Sequence, residues 1–528
     1  MHIAFRCDAS LEIGSGHVIR CLTLANALRE RGVRCTFITR NQPGNISPRI
    51  EEQGHSIEAL SLEPEVGLGV GQEMAKDIRW LGVSSQQEAK QSRDVIERIN
   101  PDMIIVDHYA LDYEWHQRTC GGRPVMSIDD LADRRHDCTI LLDQNFGRNA
   151  RDYDGLVPTK ALKLIGPDYA LLRPEFQKAR AASVAHRNSN SRPLQVLISM
   201  GGTDSDNSTG RILGVLSRSD LSNQIAVTVV MGATTPHLAA VRQQVTQLPF
   251  RTKVVSNVED MAALLKDMDL AIGAAGGSVW ERCCLGVPSL LLNIADNQRP
   301  AAQALDEAGA AVALGDIEVV GWEDRLVVAL RRYSRPEELR RMSGVAAELV
   351  DGYGASRVAS EVIARLLVVR EVVESDSRDI WEWRHEGGAA RFYLSGKETP
   401  YEEHLAWLRG AIGAPGRFLL MVEKGAESIG HIRLDLNGKE VREATVSISI
   451  SPRIRGKRLA QAILIAGMNF AADRGFTKLN AAVHSDNVAS HRLFLSCGFC
   501  EAGHDQDFIL LAKKIVRTDV AINGANGE

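Results

Sequence analysis

The rhythm of apolar and polar positions divides the chain into three blocks, two alike and a third of different texture. "HIAF" opens as a short apolar run. A glycine-bearing polar turn follows, then Val18, Leu22, Ala25 and Leu28 at helical spacing, closed by Gly32. "RCTFITR", "PDMIIVDHYA", "PVMSIDD" and "CTILLDQN" read as further strands. Short, nearly continuous apolar strands alternating with helices predict a mostly parallel sheet covered on both faces. The pattern restarts after "AHRNSNSRP" (185–193), which reads as a loop or hinge. "LQVLISMGG", "IAVTVVMG", "RTKVVSN", "DLAIGAAGG" and "VPSLLLNI" repeat the same alternation. Residues 1–185 and 186–365 are therefore expected to be two Rossmann-like α/β lobes facing a cleft, each opening with strand, glycine turn and helix. From about 368 the texture differs. Trp381, Trp383 and Trp407 lie close together, and "RFLLMVEKGAESIGHIRLDL" and "REATVSISI" alternate residue by residue, as half-buried strands do. A long helix ending at Gly475, the strand "KLNAAVH" and the helix-turn "NVASHRLFLSCGF" complete an α+β domain over 368–515; the polar 516–528 reads as a frayed tail.

Bulk composition narrows the function classes. The chain has 528 residues, too many for one core. Its net charge of −5 argues against a broad nucleic-acid footprint. No run approaches the ~18 apolar residues of a membrane span, and "MHIAFRCDAS" lacks a basic leader. Nine scattered cysteines suit a reducing cytoplasm, the expected location. Cys497 and Cys500 have CxxC spacing without a second pair or a thioredoxin-like context, so they are expected to be ordinary strand-edge thiols and no metal is expected.

The chemistry sits at the glycine turns. Gly14 and Gly16 fit the start of a dinucleotide fingerprint, but Ile19 holds its third glycine position, and the nucleotide-binding GxxxxGK[ST] is absent. A helix start still attracts anions through unpaired N–H groups and its dipole. His17 falls in that first turn, where the dipole disfavours a second positive charge and keeps the imidazole neutral enough to accept a proton. A helix-start histidine bonded to backbone is the alternative. In the second lobe, Gly201 and Gly202 follow a strand, with Asn207 and Ser208 near the next helix start; Asn257 reads as starting a helix, with Asp260 three residues on. Gly276 and Gly277 let a ligand approach the backbone. Ser278 and Glu281 have the spacing of a capping box, or Glu281 accepts both hydroxyls of a ribose. Asp296, Asn297 and Gln298 form a polar loop before a helix. Together these loops line the crevice where α/β sheets bind ligands.

The set "RCDASLEIGSGHVIRCLTLA", "IDDLADRRHDC", "LLDQN", "GPDYALLRPEF", "ISMGGTDSDN", "NVEDMAALL", "GAAGGSVWERCCLG" and "IADNQ" resembles the UDP-sugar hydrolases of pseudaminic acid biosynthesis over residues 1 to about 365. That resemblance implies a GT-B-like fold and release of UDP from UDP-2,4-diacetamido-2,4,6-trideoxy-β-L-altropyranose by water, with inversion and without a metal. It implies His17 as the base, Glu281 on the uridine ribose, and substrate contacts from Asp8, Gly14, Ser15, Gly16, Asp107, Asn145, Gly201, Gly202, Asn257, Met261, Gly276, Gly277, Ser278, Asn297 and Gln298. Asp8 and Asp107 end strands and either orient His17, hold the sugar amides or cap their strand ends; Asp8 is the nearer to His17 in sequence. Residues 368–515 resemble the GNAT acetyltransferases. "SISISPRIRGKRLAQAIL" matches their acetyl-CoA pyrophosphate loop through Arg453, Gly456 and Arg458, with Arg455, Lys457 and Ala460 beside them and Asn487 as a further cofactor contact. Arg458 replaces the usual small residue, so a left-handed turn there would be strained. Phe494 lies where many members have a tyrosine acid, and Glu443 and His484 are candidate bases. The fusion implies two consecutive steps on a UDP-amino sugar, acetyl transfer then UDP release, with channelling between the domains. A glycosyltransferase with the same two lobes, or a UDP-sugar sensor without turnover, are the alternatives.

Overall fold

The computed structural model describes residues 1–63, 80–186, 194–202, 204–233, 235–392, 398–438 and 442–515. Most of the expected hinge at 185–193 and the whole expected tail at 516–528 lie outside the described residues. By internal contacts the chain divides into two compact units: Ala4–Asn26 with Cys35–Arg357, and Met1–Ile3 with Ala27–Arg34 and everything from Val358 onward.

The first unit is built on two sheets. One contains β1 (His2–Cys7), β2 (Arg34–Arg40), β3 (Ser56–Leu60), β4 (Met103–Asp107), β5 (Val125–Ile128), β6 (Ile140–Asp143) and β7 (Leu162–Ile165), in the order β3-β2-β1-β4-β5-β6-β7. The other contains β8 (Leu194–Ser199), β9 (Ile225–Met231), β10 (Arg251–Ser256), β11 (Leu270–Ala274), β12 (Ser289–Asn293) and β13 (Val312–Asp316), in the order β10-β9-β8-β11-β12-β13. Neighbours in this second sheet are parallel throughout. Both orders reverse once, between β1 and β4 and between β8 and β11. That reversal opens a crevice at the strand C-ends. The sequence turns with glycines follow β1, β8 and β11, three of the four strands that flank the two reversals.

The continuous apolar runs are explained by two-sided burial. Val196, Ile198, Leu270, Ile272, Leu290 and Leu292 join one core with Trp322 and Met342. Their strand neighbours Leu197, Ala271 and Leu291 join another with Phe176, Trp280 and Leu305. Alternate residues of one strand thus feed opposite faces.

The second unit holds β14 (Val368–Glu371), β15 (Arg417–Lys424), β16 (Glu427–Leu436), β17 (Glu443–Ile450), β18 (Lys478–His484), β19 (Cys500–Asp505) and β20 (Phe508–Lys514), in the order β14-β15-β16-β17-β18-β20-β19. Pairing is antiparallel except between β17 and β18. That parallel pair matches Glu443–Thr445 with Lys478–Asn480 and stops there, so the two strands part toward Ile450 and His484. The helix Ala460–Asp473 connects them. It lies close on the sheet: a Cβ at Gly467 would sit 2.4 Å from Ile432 Cδ1. Trp383 joins Ile380, Leu408, Leu419 and Met421 in the core on the opposite face, so one of the clustered tryptophans is structural.

Candidate functional site

The turn after β1 is closed by its own polar groups. Gly14 N donates to Ser10 O at 2.8 Å and Ile13 N to Ser10 Oγ at 3.0 Å. Gly14 has φ +75°, and a Cβ on Gly14 or Gly16 would meet nothing within 4 Å. The space over these glycines is therefore open to a ligand. The helix Gly16–Arg29 starts there without an acidic residue in its first turn.

His17 is buried at the start of this helix and is not merely bonded to backbone. Its Nδ1 lies 2.6 Å from Asp107 Oδ1 at the end of β4. Arg20, one turn along, donates from Nε to Asp107 Oδ2 at 2.6 Å and from Nη2 to Oδ1 at 2.7 Å. Burial alone would raise the Asp107 carboxyl. The Arg20 guanidinium, joined by His17, outweighs it and holds Asp107 below the usual carboxylate range. An ionised Asp107 only accepts, so His17 Nδ1 carries the hydrogen and Nε2 keeps the lone pair. The same guanidinium reaches Asp130, with Nη1 to Oδ1 at 2.9 Å. Tyr109 packs edge-on against His17 with ring centroids 4.7 Å apart, and its hydroxyl donates to Asp130 Oδ2 at 3.2 Å. From the second sheet's side, Asn297 Nδ2 donates to the Tyr109 hydroxyl at 3.3 Å. Arg20, Tyr109 and Asp130 escaped sequence reasoning. The i, i+3 spacing of His17 and Arg20 was the signal available for the first.

Asp8 is corrected by the structure. It is fully buried and bonded elsewhere: Oδ1 accepts from Arg6 Nη1 and Arg40 N, both at 2.7 Å. Arg6 in turn forks onto buried Glu88 at 2.8 and 2.9 Å. Asp8 belongs to this internal charge network rather than to a substrate surface. Asn145 is also largely engaged internally, its N and Nδ2 donating to Asp143 Oδ1 at 2.9 and 2.8 Å.

In the second sheet the helix starts differ in what occupies their N–H groups. Before Ser208, Asp204 accepts from Ser208 N and Thr209 N at 2.8 and 3.1 Å, and Asn207 from Gly210 N at 3.2 Å. That helix start is filled, although Gly201 and Gly202 ahead of it are exposed. Asn257 does not start its helix: Asp260 caps it through Ala263 N at 2.8 Å, and the helix runs Met261–Leu265. At Gly276–Gly277–Ser278 there is no side-chain cap, so the expected capping box does not form. Ser278 Oγ instead accepts from Arg282 Nη1 at 3.2 Å, while Arg282 Nη2 holds Ala274 O at 2.7 Å. Buried Arg282 thus props the glycine loop from behind. Glu281, released from capping, faces Arg173 with 3.8 Å between Oε1 and Nη2. Burial pushes its carboxyl up to about 7, against the pull of Arg173. Gln298 folds its Oε1 onto Ile294 N at 3.2 Å and lies beside Gly276.

In the second unit, residues Arg453, Arg455, Gly456, Lys457 and Arg458 form an exposed turn pinned by buried Ile454 and Leu459. Gly456 and Arg458 are both left-handed, at φ +79° and +58°, so the strain expected at Arg458 is present. The helix beginning at Ala460 has no side-chain cap. The turn lies at the open end of the β17/β18 fork. Glu443 lies at the closed end, ~23 Å away at the rise of a strand, and is bound to Lys478 and Asn480 at 3.1 and 3.3 Å. That placement removes it as a base beside this turn. His484 is at the open end, against Phe508 and Phe392. Its Nδ1 accepts from Asp486 N at 3.2 Å, so in the neutral ring Nε2 carries the hydrogen and lacks a base's lone pair. Asn487 caps the helix Val488–Ser496 through Ser490 N at 3.1 Å. Phe494 is buried against Phe499, centroids 5.0 Å apart. Cys497 is buried and Cys500 exposed. Among the described residues no helix is long and apolar enough to cross a membrane.

Two parallel lobes meeting at their strand C-ends, followed by a forked mixed sheet, define a GT-B-type pair of lobes joined to a GNAT domain. Residues 195–349 match the glycosyltransferase family 28 C-terminal domain and residues 366–500 the acetyltransferase (GNAT) domain. MurG of Acinetobacter baumannii superposes with a TM-score of 0.50 at 17% identity, covering 68% of this chain and 98% of its own. An uncharacterised protein of Methanocaldococcus jannaschii is 22% identical over 96% of this chain and 99% of its own length. The UDP-2,4-diacetamido-2,4,6-trideoxy-β-L-altropyranose hydrolase of Campylobacter jejuni is 25% identical over 58% of this chain and 97% of its own. The UDP-N-acetylglucosamine–N-acetylmuramyl-(pentapeptide) pyrophosphoryl-undecaprenol N-acetylglucosamine transferase of Thiobacillus denitrificans is 32% identical over 56% of this chain and 81% of its own. The chain belongs to the glycosyltransferase family 28 group, in a form like the Campylobacter hydrolase, with a GNAT acetyltransferase domain fused behind it.

Proposed function

We propose that the protein is a bifunctional nucleotide-sugar enzyme that hydrolyses a UDP-2,4-diacetamido-2,4,6-trideoxy-hexose to free sugar and UDP, and N-acetylates the UDP-4-amino-sugar precursor. The observation that carries the first activity is His17 at an open helix start with Nδ1 held by Asp107. His17 Nε2 takes a proton from water as the water oxygen bonds to the anomeric carbon. The bond from that carbon to the β-phosphate oxygen breaks, and its electron pair leaves with UDP. Attack opposite the leaving group inverts the anomeric carbon. UDP leaves readily, so N–H donors at the glycine turns replace the acid carboxylate an inverting glycosidase uses. Gly276, Gly277 and Glu281 serve the nucleotide, Glu281 accepting the ribose hydroxyls.

For the second activity the exposed turn Arg453–Arg458 and the uncapped helix start at Ala460 suit a pyrophosphate, which supports acetyl-CoA as co-substrate. Acetyl-CoA supplies the thioester. The chain's backbone N–H groups would orient it. As the amine nitrogen bonds to the acetyl carbon, the carbon–sulfur bond breaks and CoA leaves as the thiolate. Solvent takes the amine proton and returns one to the sulfur, since Glu443 and His484 are otherwise engaged.

Mass spectrometry of products from a panel of UDP-amino sugars, with and without acetyl-CoA, tests both steps. Free sugar and UDP are expected without any acceptor, and a mass gain of one acetyl group on the 4-amine only with acetyl-CoA. The relationship to lipid-linked transferases favours glycosyl transfer as the second reading. Sugar release that requires an added acceptor hydroxyl would establish it in place of hydrolysis.

A further inference from the structure

The base pocket contains more charge than orienting one imidazole requires. Arg20 lies between two carboxylates: Nε and Nη2 fork onto Asp107, while Nη1 and Nη2 reach Asp130 at 2.9 Å each. Asp107 is fully buried, and Arg20 and Asp130 are partly buried. An Asp107–Arg20 pair alone would present zero net charge to His17. Arg20 Nη2 also stands 3.3 Å from His17 Nδ1, close enough to oppose a positive imidazole.

Three of the remaining titratable neighbours carry no charge at neutral pH. Tyr109 and Cys21 are pushed up by burial and stay protonated. His108, on the strand end beside Asp107, is pushed down by burial to about 4 and stays neutral. The charged groups farther out are paired: Arg134, over the Tyr109 ring at 5.9 Å, with Asp129 and Asp133, and Asp143, pushed up to about 6 by burial with Asp130 adding to it, with Arg148 at 3.4 Å. The charges that reach His17 directly or through Arg20 are those of Asp107, Arg20 and Asp130.

We propose that Asp130 is a positioning residue for the base: through Arg20 it leaves the pocket one negative charge in excess, so that His17 gains a counter-charge when it takes the proton from water. The pocket then goes from −1 to neutral during the reaction rather than from neutral to +1. Removing Asp130's charge disfavours the imidazolium, and removing Arg20's favours it. The two variants must move His17 in opposite directions, which a merely structural role would not do.

This inference rests on His17 being the base, and the test separates the two. In protein labelled with 15N-histidine, the His17 resonances are identified by their loss in His17→Ala and followed as pH changes, with no turnover involved. Asp130→Asn is expected to lower the His17 midpoint by about one pH unit, tenfold in proton affinity. Arg20→Gln is expected to raise it, and Asp130→Glu to restore it. In turnover, Asp130→Asn shifts the acid limb of kcat/KM to lower pH and lowers kcat about tenfold, with UDP binding unchanged. A midpoint that stays within about 0.3 unit in Asp130→Asn, or that moves the same way in both variants, overturns the proposal. Should Arg20→Gln not fold, the Asp130→Asn and Asp130→Glu pair decides alone. Full turnover by His17→Ala overturns the base reading instead and leaves the titration result standing.

Discussion

Two corners of this molecule share one local design and differ in what they do with it. Ser10–His17 and Ser451–Ala460 each run from a strand through a left-handed glycine into a helix with no acidic residue in its first turn. In the first, the helix brings in an imidazole that two carboxylates and an arginine hold in place. In the second, exposed basic side chains surround the backbone and no titratable group is buried in the turn. Under the proposed function, backbone geometry makes an anion site in both. Only a side chain fixed by the neighbouring strand ends turns such a site into a place for chemistry. On that proposal the second corner binds, and its reactivity arrives with the co-substrate.

The largest test of that contrast is His17→Ala. UDP release should fall by ~10²–10⁴ with UDP affinity unchanged, whereas Arg453→Ala should raise the KM for acetyl-CoA several-fold with little change in acetyl-transfer kcat. Steady-state kinetics of both half-reactions checks this; a kcat collapse in Arg453→Ala would erase the distinction. Asp107→Asn comes next. An amide can donate to Nδ1 and leave the hydrogen on Nε2, so kcat should drop about 10²-fold through the wrong tautomer. Urea unfolding should separately register the loss of the charged Arg20–Asp107 fork.

A smaller effect concerns Glu281, whose carboxyl is held up at about 7 by burial while Arg173, Arg282 and Glu175 surround it. A raised acid pKa means the folded state holds the proton more tightly than the unfolded chain. Its contribution to stability is full at pH 4 and is lost as pH rises from about 4.5 through about 7. Ribose hydroxyls favour the ionised form, so UDP affinity should rise over the same interval. Glu281→Gln should flatten that rise in calorimetry, leaving only the part due to the UDP phosphate. The smallest effect is expected from Arg458→Gly. It relieves a left-handed arginine and removes one charge, lowering acetyl-CoA affinity about threefold at low salt and hardly at all in 0.5 M salt.

Much of this was legible beforehand because it is local. The apolar runs of β1, β8 and β11, the glycines behind them and His17 at a helix start all follow from neighbours in the chain. The errors were errors of distance. Asp8 is near His17 in sequence, yet it shares a strand face with Arg6 two residues away and is spent on Arg6 and Arg40 N. Ser278 and Glu281 have capping spacing, but Arg282 takes the serine and Arg173 lies across from the glutamate. Glu443 is on the expected strand at its closed end, which only the register with Lys478 reveals.

By itself the sequence determined three α/β or α+β blocks, the glycine turns and the residue types at them. Periodicity and turn chemistry act within about ten residues and need no partner. Only the tertiary structure decided that Asp107, 90 positions from His17, is the carboxylate that orients it, and that Arg20 links it to Asp130. Those choices depend on which parallel strands lie side by side. β1 and β4 become neighbours through a crossover, and that pairing puts Asp107 beside His17 in a pocket dry enough for charge to count.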